Sequence, residues 1–223
     1  MKEFDPFGWF EKYFPAKTLH LMIRAGIVVV LLALLIHRIS AYGHYGFKPL
    51  WAVETIIFIV FLISYIIRRD PVQRSCGVNE ILIPLVGGAL PFALLFSPPH
   101  RFITDQITYV YAIFIWMTAA SSLTVWGLWT LRRSFSITVE VRDLVTGGPY
   151  RFIRHPVYLG EILTAAAVAA LRFSLINMAI FALFVAIQLY RSKMEEEKLR
   201  QVLPGYAGFA RRSRWFWPYG PMR

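Results

Sequence analysis

The stretch ITYVYAIFIWMTAASSLTVWGLWTL, residues 107–131, contains 25 residues and no charged side chain. At about 1.5 Å of rise per residue, a helix of this length exceeds the hydrocarbon core of a bilayer, which is roughly 30 Å thick. Uninterrupted apolar runs of this length are typical of membrane spans. The run therefore predicts a transmembrane helix.

The sequence on both sides of this run repeats the pattern. With 57% hydrophobic and only 17% charged residues among 223, the chain is too apolar for an ordinary soluble domain. We expect an all-α, polytopic membrane helical bundle of five to six segments, because one further run is marginal for a span. The further runs are residues 19–36, 50–67, 81–96, 157–171 (the marginal one) and 174–190.

The last two runs are joined by a very short link at Arg172, which predicts a C-terminal helical hairpin. Small residues four positions apart on one helix face allow a partner helix to approach closely. The first run of the hairpin has two such pairs, Ala165 with Ala169 and Ala166 with Ala170. This spacing supports the hairpin.

Two earlier runs contain residues that are unusual in a membrane span. Pro84 and Pro91 lie in the third run and predict a kink, because proline lacks the N–H that continues a helix. Glu54 lies about one turn into the second run, and it is the intramembrane carboxylate that the sequence indicates. It either lines a polar cavity or reaches toward the headgroups.

The positive charges are distributed unevenly along the chain. Nineteen of the 24 Lys and Arg fall in residues 1–18, 68–80, 131–156 and 191–223. Because cytosolic segments are enriched in Lys and Arg, an even number of crossings places both termini and the two basic loops in the cytosol. Topology and anionic lipid headgroups then explain the net charge of +11, so nucleic acid is not an expected partner. The five histidines are scattered without ligand spacing, and no metal is expected.

The segment LVTGGPYRFIRHPVYLGE, residues 144–161, is the most distinctive part of the sequence. Gly148 lies in a predicted turn, and Pro156 suits the first position of a helix that His155 caps. The free N–H groups at such a helix start, with Arg154 nearby, attract an anion such as a carboxylate or phosphate. On residue types alone, a helix start anchored to lipid headgroups explains the pattern equally well.

The order of the residues favours a ligand site. Two elements closely resemble the signature of the isoprenylcysteine carboxyl methyltransferase family of membrane enzymes, which is related to the phospholipid methyltransferases. The first element is Gly148-Pro149-Tyr150 followed by Arg154-His155-Pro156-x-Tyr158-x-Gly160. The second comprises Arg191, Glu195-Glu196-x-x-Leu199, Tyr206, Phe209 and Pro218.

The resemblance covers roughly residues 131–218, and the first four runs match only as generic spans. The chain departs from the family in having Leu203-Pro204-Gly205 before Tyr206, and in its Trp-rich end. We therefore expect a single membrane domain over 1–223. It would comprise an interfacial N-terminal segment (1–18), four spans (19–130) and a methyltransferase-like catalytic region (131–218).

The resemblance implies S-adenosylmethionine as the cofactor, bound between the last two helices and a cytosolic cap formed by 131–156 and 191–223. It implies carboxyl O-methylation of a lipid-like or prenylated acceptor that enters from the membrane. Arg191 would orient the acceptor carboxylate and Glu196 would hold the Arg, although Glu195 could exchange roles with its neighbour. The implied cofactor-binding residues are Tyr150, Arg154, His155, Pro156, Tyr158 and Gly160.

Several alternatives stay open. A phospholipid N-methyltransferase would need a base for its amine acceptor. NADPH-dependent sterol reductases share the Arg-His-Pro-x-Tyr-x-Gly pattern, but they usually have Asn where this chain has Val157. Arg191 with Glu195, and Glu196 with Arg200, could instead be i,i+4 pairs on a solvated helix. A non-enzymatic scaffold or transporter ranks last, because Glu54 alone offers an intramembrane carboxylate.

Overall fold

The computed structural model describes residues 16–44, 46–69, 71–75 and 77–216. These residues form helices and two isolated bridges, with no strand among them, which confirms the all-α prediction. The predicted interfacial segment at 1–18 lies almost wholly outside the described residues. The helices are α1 (Ala16–Ser40), α2 (Lys48–Ile67), α3 (Gly77–Ala89), α4 (Arg101–Thr104), α5 (Ile107–Leu131), α6 (Pro156–Leu171), α7 (Leu175–Val202) and α8 (Tyr206–Arg212).

The helices confirm a polytopic bundle of five to six segments. α6 has 16 residues and is apolar, but it is shorter than a full span, as its marginal run predicted. Among the described residues, five stretches are long and apolar enough to cross a membrane, namely Ala25–His44, Lys48–Ile67, Asn79–Phe96, Ile107–Ser134 and Leu175–Val202.

The third span changes its type of helix near its two prolines. Pro84 lies inside α3, and the chain then continues as a 3-10 helix, Leu90–Phe96, that has Pro91 in its first turn. Each proline removes an N–H donor, so the regular α-helical hydrogen bonds cannot continue through this stretch. This change of helix type is consistent with the prolines, and the kink itself stays a prediction.

α5 and α6 approach each other through two glycines. A Cβ atom on Gly160 would lie 2.2 Å from Thr124 Oγ1 and 2.9 Å from the Ala120 carbonyl oxygen. On the other helix, a Cβ atom on Gly127 would lie 2.7 Å from Val157 Cγ2. A side chain at either position would displace its neighbours, so the two glycines allow α5 and α6 to pack closely.

α6 and α7 form the predicted hairpin. Only residues 172–174 separate the two helices, and Ser174 caps α7 by accepting a hydrogen bond from the Asn177 N–H at 3.1 Å. Ala165 and Ala169 of α6 are buried in one cluster with Phe184 of α7. The small residues thus allow close packing, as their spacing predicted.

Three basic segments come together at one end of the bundle. Lys198, beyond the apolar part of α7, donates to the Arg74 carbonyl oxygen at 2.7 Å and to that of Val139 at 2.9 Å. The Arg154 N–H donates to the Arg214 carbonyl oxygen at 2.6 Å. Residues 132–155 and 191–216 therefore form a folded cap over one end of the spans.

Candidate functional site

The turn that leads into α6 has a conformation that requires glycine. Gly148 has φ of +55°, and a Cβ atom there would lie 2.6 Å from Thr130 Oγ1. Pro149 and Tyr150 follow in one buried 3-10 turn. Pro156 then occupies the first turn of α6, where its missing N–H leaves no hydrogen bond unmade.

His155 and Tyr158, at the start of α6, face the Glu195-Glu196 pair of α7. His155 Nε2 lies 3.2 Å from Glu196 Oε1, and the Tyr158 hydroxyl donates to Glu195 Oε1. The rings of His155 and Tyr158 stack, with their centroids 5.6 Å apart. Two sequence elements separated by about 40 residues therefore meet at one place.

The Glu196 carboxylate pairs with two arginines near the start of α6. Its carboxylate lies 3.1 Å from Arg154 Nε on one side and 3.1 Å from Arg200 Nη2 on the other. Arg154 and His155 were expected to attract an anionic ligand, but they contact a carboxylate of the chain itself. Glu196 makes no hydrogen bond to Arg191 among the described residues, because five residues along a helix rotate the side chain by about 140°.

Arg191 is buried, with 6% of its surface exposed, so the solvated-helix alternative is wrong for this residue. Its guanidinium carbon lies 4.7 Å from the centroid of the Tyr158 ring. Nη1 donates to Gln188 Oε1 at 2.8 Å, and Nη2 donates to the Ile137 carbonyl oxygen at 3.4 Å. The arginine expected to be catalytic is therefore held by Gln188, a residue that the sequence did not indicate.

Gln188 links Arg191 to a second intramembrane carboxylate. Because its oxygen accepts from Arg191, its amide nitrogen faces the other way and donates to Glu161 Oε2. Glu161 lies one turn beyond Tyr158 on α6. Tyr158, Arg191, Gln188 and Glu161 together are named the polar row. Glu161 is not among the residues that the sequence motifs indicated, although its i+3 spacing from Tyr158 inside an apolar run could have indicated it.

A cleft lies on the cap side of the polar row and has about 850 Å³ of empty space, part of it open to solvent. We name it the cap cleft. Glu195 lines it, together with four of the six residues expected to bind the cofactor, namely Tyr150, Arg154, His155 and Tyr158. The other two, Pro156 and Gly160, pack against α5 instead. This packing explains why residue 160 is a glycine. The role of Gly160 in binding a cofactor stays a prediction.

A second cavity lies on the membrane side of the polar row, between α2, α3, α5 and α6. This membrane cavity has about 1190 Å³ of empty space, part of it open, and most of its wall is apolar. Its lining extends over residues 54–61 of α2 and 161–168 of α6, which corresponds to a length of about 10 Å. Glu161 lies at the end near the polar row, and the ion pair of Arg38 with Glu54 lies at the opposite end.

The cap cleft contains a polar group that has no partner. The Tyr206 hydroxyl is buried and makes no hydrogen bond to any part of the chain that the structure describes. Burial, and then the nearby Glu196 carboxylate, raises the pKa of Tyr206 well above its usual value of 10. Burial followed by the Glu195 charge likewise raises the pKa of Tyr150. Tyr206 is therefore protonated at neutral pH, and its hydroxyl can donate a hydrogen bond to a ligand.

These features define an integral membrane protein in which a polar cleft adjoins an apolar cavity. Residues 111–201, from α5 to α7, match the sequence profile of the Isoprenylcysteine carboxyl methyltransferase (ICMT) family. This segment includes the first sequence element and the part of the second from Arg191 to Leu199, whereas Tyr206, Phe209 and Pro218 lie beyond it. The resemblance predicted from the sequence is confirmed over it, and the family is one of membrane methyltransferases.

The chain is also similar to a protein that is named for metal resistance. Over 77 residues, which are 34% of this chain, the sequence is 36% identical to the cobalt-zinc-cadmium resistance protein CzcN of Cupriavidus metallidurans. The matched part spans about a third of the length of that protein, 35% of it.

Proposed function

We propose that the protein is a membrane methyltransferase that moves a methyl group from S-adenosylmethionine to a lipid-like acceptor. The observation that carries the proposal is the meeting of His155 and Tyr158 with Glu195 and Glu196 in the cap cleft, within the segment that matches the ICMT family. The cap would face the cytosol with both termini, because its basic residues follow the positive-inside pattern. Membrane lipids would surround the spans and supply the acceptor.

The chemistry of the cap cleft fits the cofactor. Tyr206 and Phe209 form an aromatic wall suited to a flat base, and the Tyr206 hydroxyl lacks a partner that a ribose or base atom would supply. The cofactor's sulfonium is a cation, which the Tyr158 ring and the Glu195 carboxylate would attract.

Arg191 has the position expected of a residue that acts between donor and acceptor. Its guanidinium lies over Tyr158, which lines the cap cleft. Its Cδ lies 3.3 Å from where a Cβ atom on Gly87 would be, and Gly87 lines the membrane cavity. Methyl transfer is an in-line displacement, so aligning the two reactants and excluding water would supply most of the catalysis.

The three expected catalytic residues then have separate roles. Arg191 and Glu195 would act at the boundary between cleft and cavity, because both contact Tyr158. Glu196 would be a positioning residue, because it holds His155 and Arg154 at the start of α6. The cofactor, when bound, would supply an activated methyl group, and the residues of the chain would orient it and keep water out.

Calorimetry on the protein in lipid nanodiscs would test the proposal. S-adenosylmethionine, its demethylated product S-adenosylhomocysteine and NADPH would be titrated in one series, with empty nanodiscs as the control. Binding of the first two alone is the expected result. Binding of NADPH alone would overturn the proposal in favour of a reductase, and binding of none would overturn it in favour of a non-enzymatic protein.

A further inference from the structure

Glu161 presents a carboxylate to the membrane cavity at the end closest to the polar row. Its Oε2 accepts the hydrogen bond from Gln188, and its Oε1 accepts none from the residues that the structure describes. The other polar groups at this end of the cavity are neutral hydroxyls, from Ser121, Thr124 and Thr164. A molecule that enters from the membrane therefore meets one negative charge among neutral groups.

Arg191, the one cation of the polar row, interacts electrostatically with both Glu161 and Glu195, so it compensates only one of these two carboxylates. Arg191 directs its two terminal nitrogens to Gln188 and to the Ile137 carbonyl oxygen. Arg38 lines the opposite end of the cavity and pairs there with Glu54. An acceptor carboxylate would therefore add a third negative charge beside one cation in surroundings of low dielectric constant, which is unfavourable. An amine or hydroxyl would instead donate a hydrogen bond to Glu161.

We propose that Glu161 is the catalytic base of the reaction, and that the acceptor is an amphipathic molecule whose nucleophile is an amine or a hydroxyl. The inference rests on the proposed function. It names a different acceptor from the carboxylate that the sequence resemblance implies. The nucleophilic nitrogen or oxygen forms a bond to the methyl carbon as the carbon–sulfur bond breaks. The electron pair of that bond stays on sulfur, which becomes a neutral thioether, and the proton of the nucleophile passes to the Glu161 carboxylate.

The shape of the membrane cavity agrees with such an acceptor. Apolar side chains, among them Phe58, Phe61 and Met117, line the roughly 10 Å between its two polar ends. An alkyl or isoprenoid tail would lie along this wall and bring its head group to Glu161. The cofactor methyl group would reach the same head group from the cap cleft, past Tyr158 and Arg191.

The test compares three probes that share a tail and differ only in head group: decylamine, decanol and decanoate. Each is titrated into the protein in nanodiscs of zwitterionic lipid saturated with S-adenosylhomocysteine. Decylamine and decanol are expected to bind at least about tenfold more tightly than decanoate. Turnover assays with radiolabelled S-adenosylmethionine are expected to label decylamine and decanol and to leave decanoate unlabelled.

Two variants test whether the head-group preference depends on the Glu161 carboxylate. Glu161→Gln keeps a side chain of the same shape and is expected to bind S-adenosylhomocysteine normally, to lose the head-group preference and to slow turnover about 100-fold. The matched control is the charge-neutral double variant Arg38→Gln/Glu54→Gln at the far end of the cavity, which is expected to keep the preference. Equal or tighter binding of decanoate to the unmodified protein, or a preference that survives in Glu161→Gln, would overturn the proposal.

Failure of this inference is distinguishable from failure of the proposed function. If the unmodified protein binds S-adenosylhomocysteine but none of the three probes, the role of Glu161 is refuted and the methyltransferase assignment stands. If it does not bind S-adenosylhomocysteine, the methyltransferase assignment fails, and the role of Glu161 fails with it. The comparison of the three probes on unmodified protein decides the acceptor class even if Glu161→Gln does not fold.

Discussion

The two ends of the helical bundle both bury polar side chains, but these side chains have different partners. At the end away from the cap, Asn177 donates to Ser97 Oγ and to the Arg172 carbonyl oxygen, each at 2.6 Å. Arg172 in turn donates to the Leu95 carbonyl oxygen at 3.1 Å. Polar groups at this end thus satisfy the backbone where helices stop. At the cap end, His155, Glu195 and Arg191 contact other side chains beside the cap cleft and the membrane cavity. The difference separates polar groups that hold the fold from those that are available to a ligand.

The sharpest test of this contrast is Arg191→Ala. We expect turnover to fall by about 1,000-fold, because the variant loses the group between the two cavities, while affinity for S-adenosylmethionine changes by less than about threefold. Radiometric methyl transfer and calorimetry would measure the two quantities. Lys193→Ala, on an exposed residue two positions along α7, is the control. Normal turnover in Arg191→Ala would make this arginine structural.

Substitution of His155 or Tyr158 by alanine is expected to have the next largest effect. Each variant removes a side chain that connects the start of α6 to the Glu195-Glu196 pair. Affinity for S-adenosylmethionine should fall by about 100-fold, which corresponds to about 2.7 kcal/mol, with the fold intact. Cofactor binding retained in both variants would remove the start of α6 from the cofactor site.

The opposite pattern is expected at the far end of the bundle. Asn177→Ala removes the buried amide that donates to Ser97 and to the Arg172 carbonyl oxygen, and it leaves these partly buried acceptors without that donor. The protein should lose about 2 kcal/mol of stability, seen as a lower melting temperature in detergent, with cofactor affinity unchanged. A weaker affinity with normal stability would contradict the division between the two ends.

Two adjacent glycines of α3 allow a milder test of the position of Arg191. A Cβ atom on Gly87 would lie 2.9 Å from Ile187 Cγ2 and 3.3 Å from Arg191 Cδ, whereas one on Gly88 would meet nothing within 4 Å. Gly87→Ala should displace Arg191 slightly and reduce turnover by about tenfold. Gly88→Ala is the matched control and should keep normal turnover. Equal effects in the two variants would show that α3 does not act through Arg191.

The smallest effect is expected from Tyr206→Phe. The hydroxyl has no partner within the described residues, so its removal should not destabilise the protein. If the cofactor satisfies it, the affinity for S-adenosylmethionine should fall by about fivefold, the value of one neutral hydrogen bond. Calorimetry and a melting curve on the same preparation would measure both properties. An unchanged affinity would place the cofactor away from Tyr206.

Much of the fold could be predicted from the sequence because membrane helices are local structures. The length of the apolar runs predicts the spans, and Pro84 and Pro91 predict the position of the kink. The start of α6 is equally local in sequence, since Pro156 occupies its first turn, but the predicted cap is not made by the His155 side chain, which forms no capping hydrogen bond.

The partners across helices could not be predicted in this way. Whether Glu195 or Glu196 meets His155 depends on the rotation of α7 about its axis, which packing against Ala165 and Ala169 determines. Glu161 stayed hidden for the same reason, because its surroundings are formed by residues from distant parts of the sequence. The position of Arg191 between two cavities likewise becomes visible only when α3 and α6 are both in place.

α7 runs without a proline or glycine from Leu175 to Val202, so Asn177 and Glu195 belong to one rigid rod. Eighteen residues separate them, which is about 27 Å along the axis. If the Asn177 end is fixed, a change in helix tilt of about 10° moves the other end by roughly 5 Å, and membrane thickness is one of the factors that changes helix tilt. The position of the Glu195 carboxylate is thereby mechanically coupled to the bilayer, so lipid chain length is itself a variable in any measurement made on this protein.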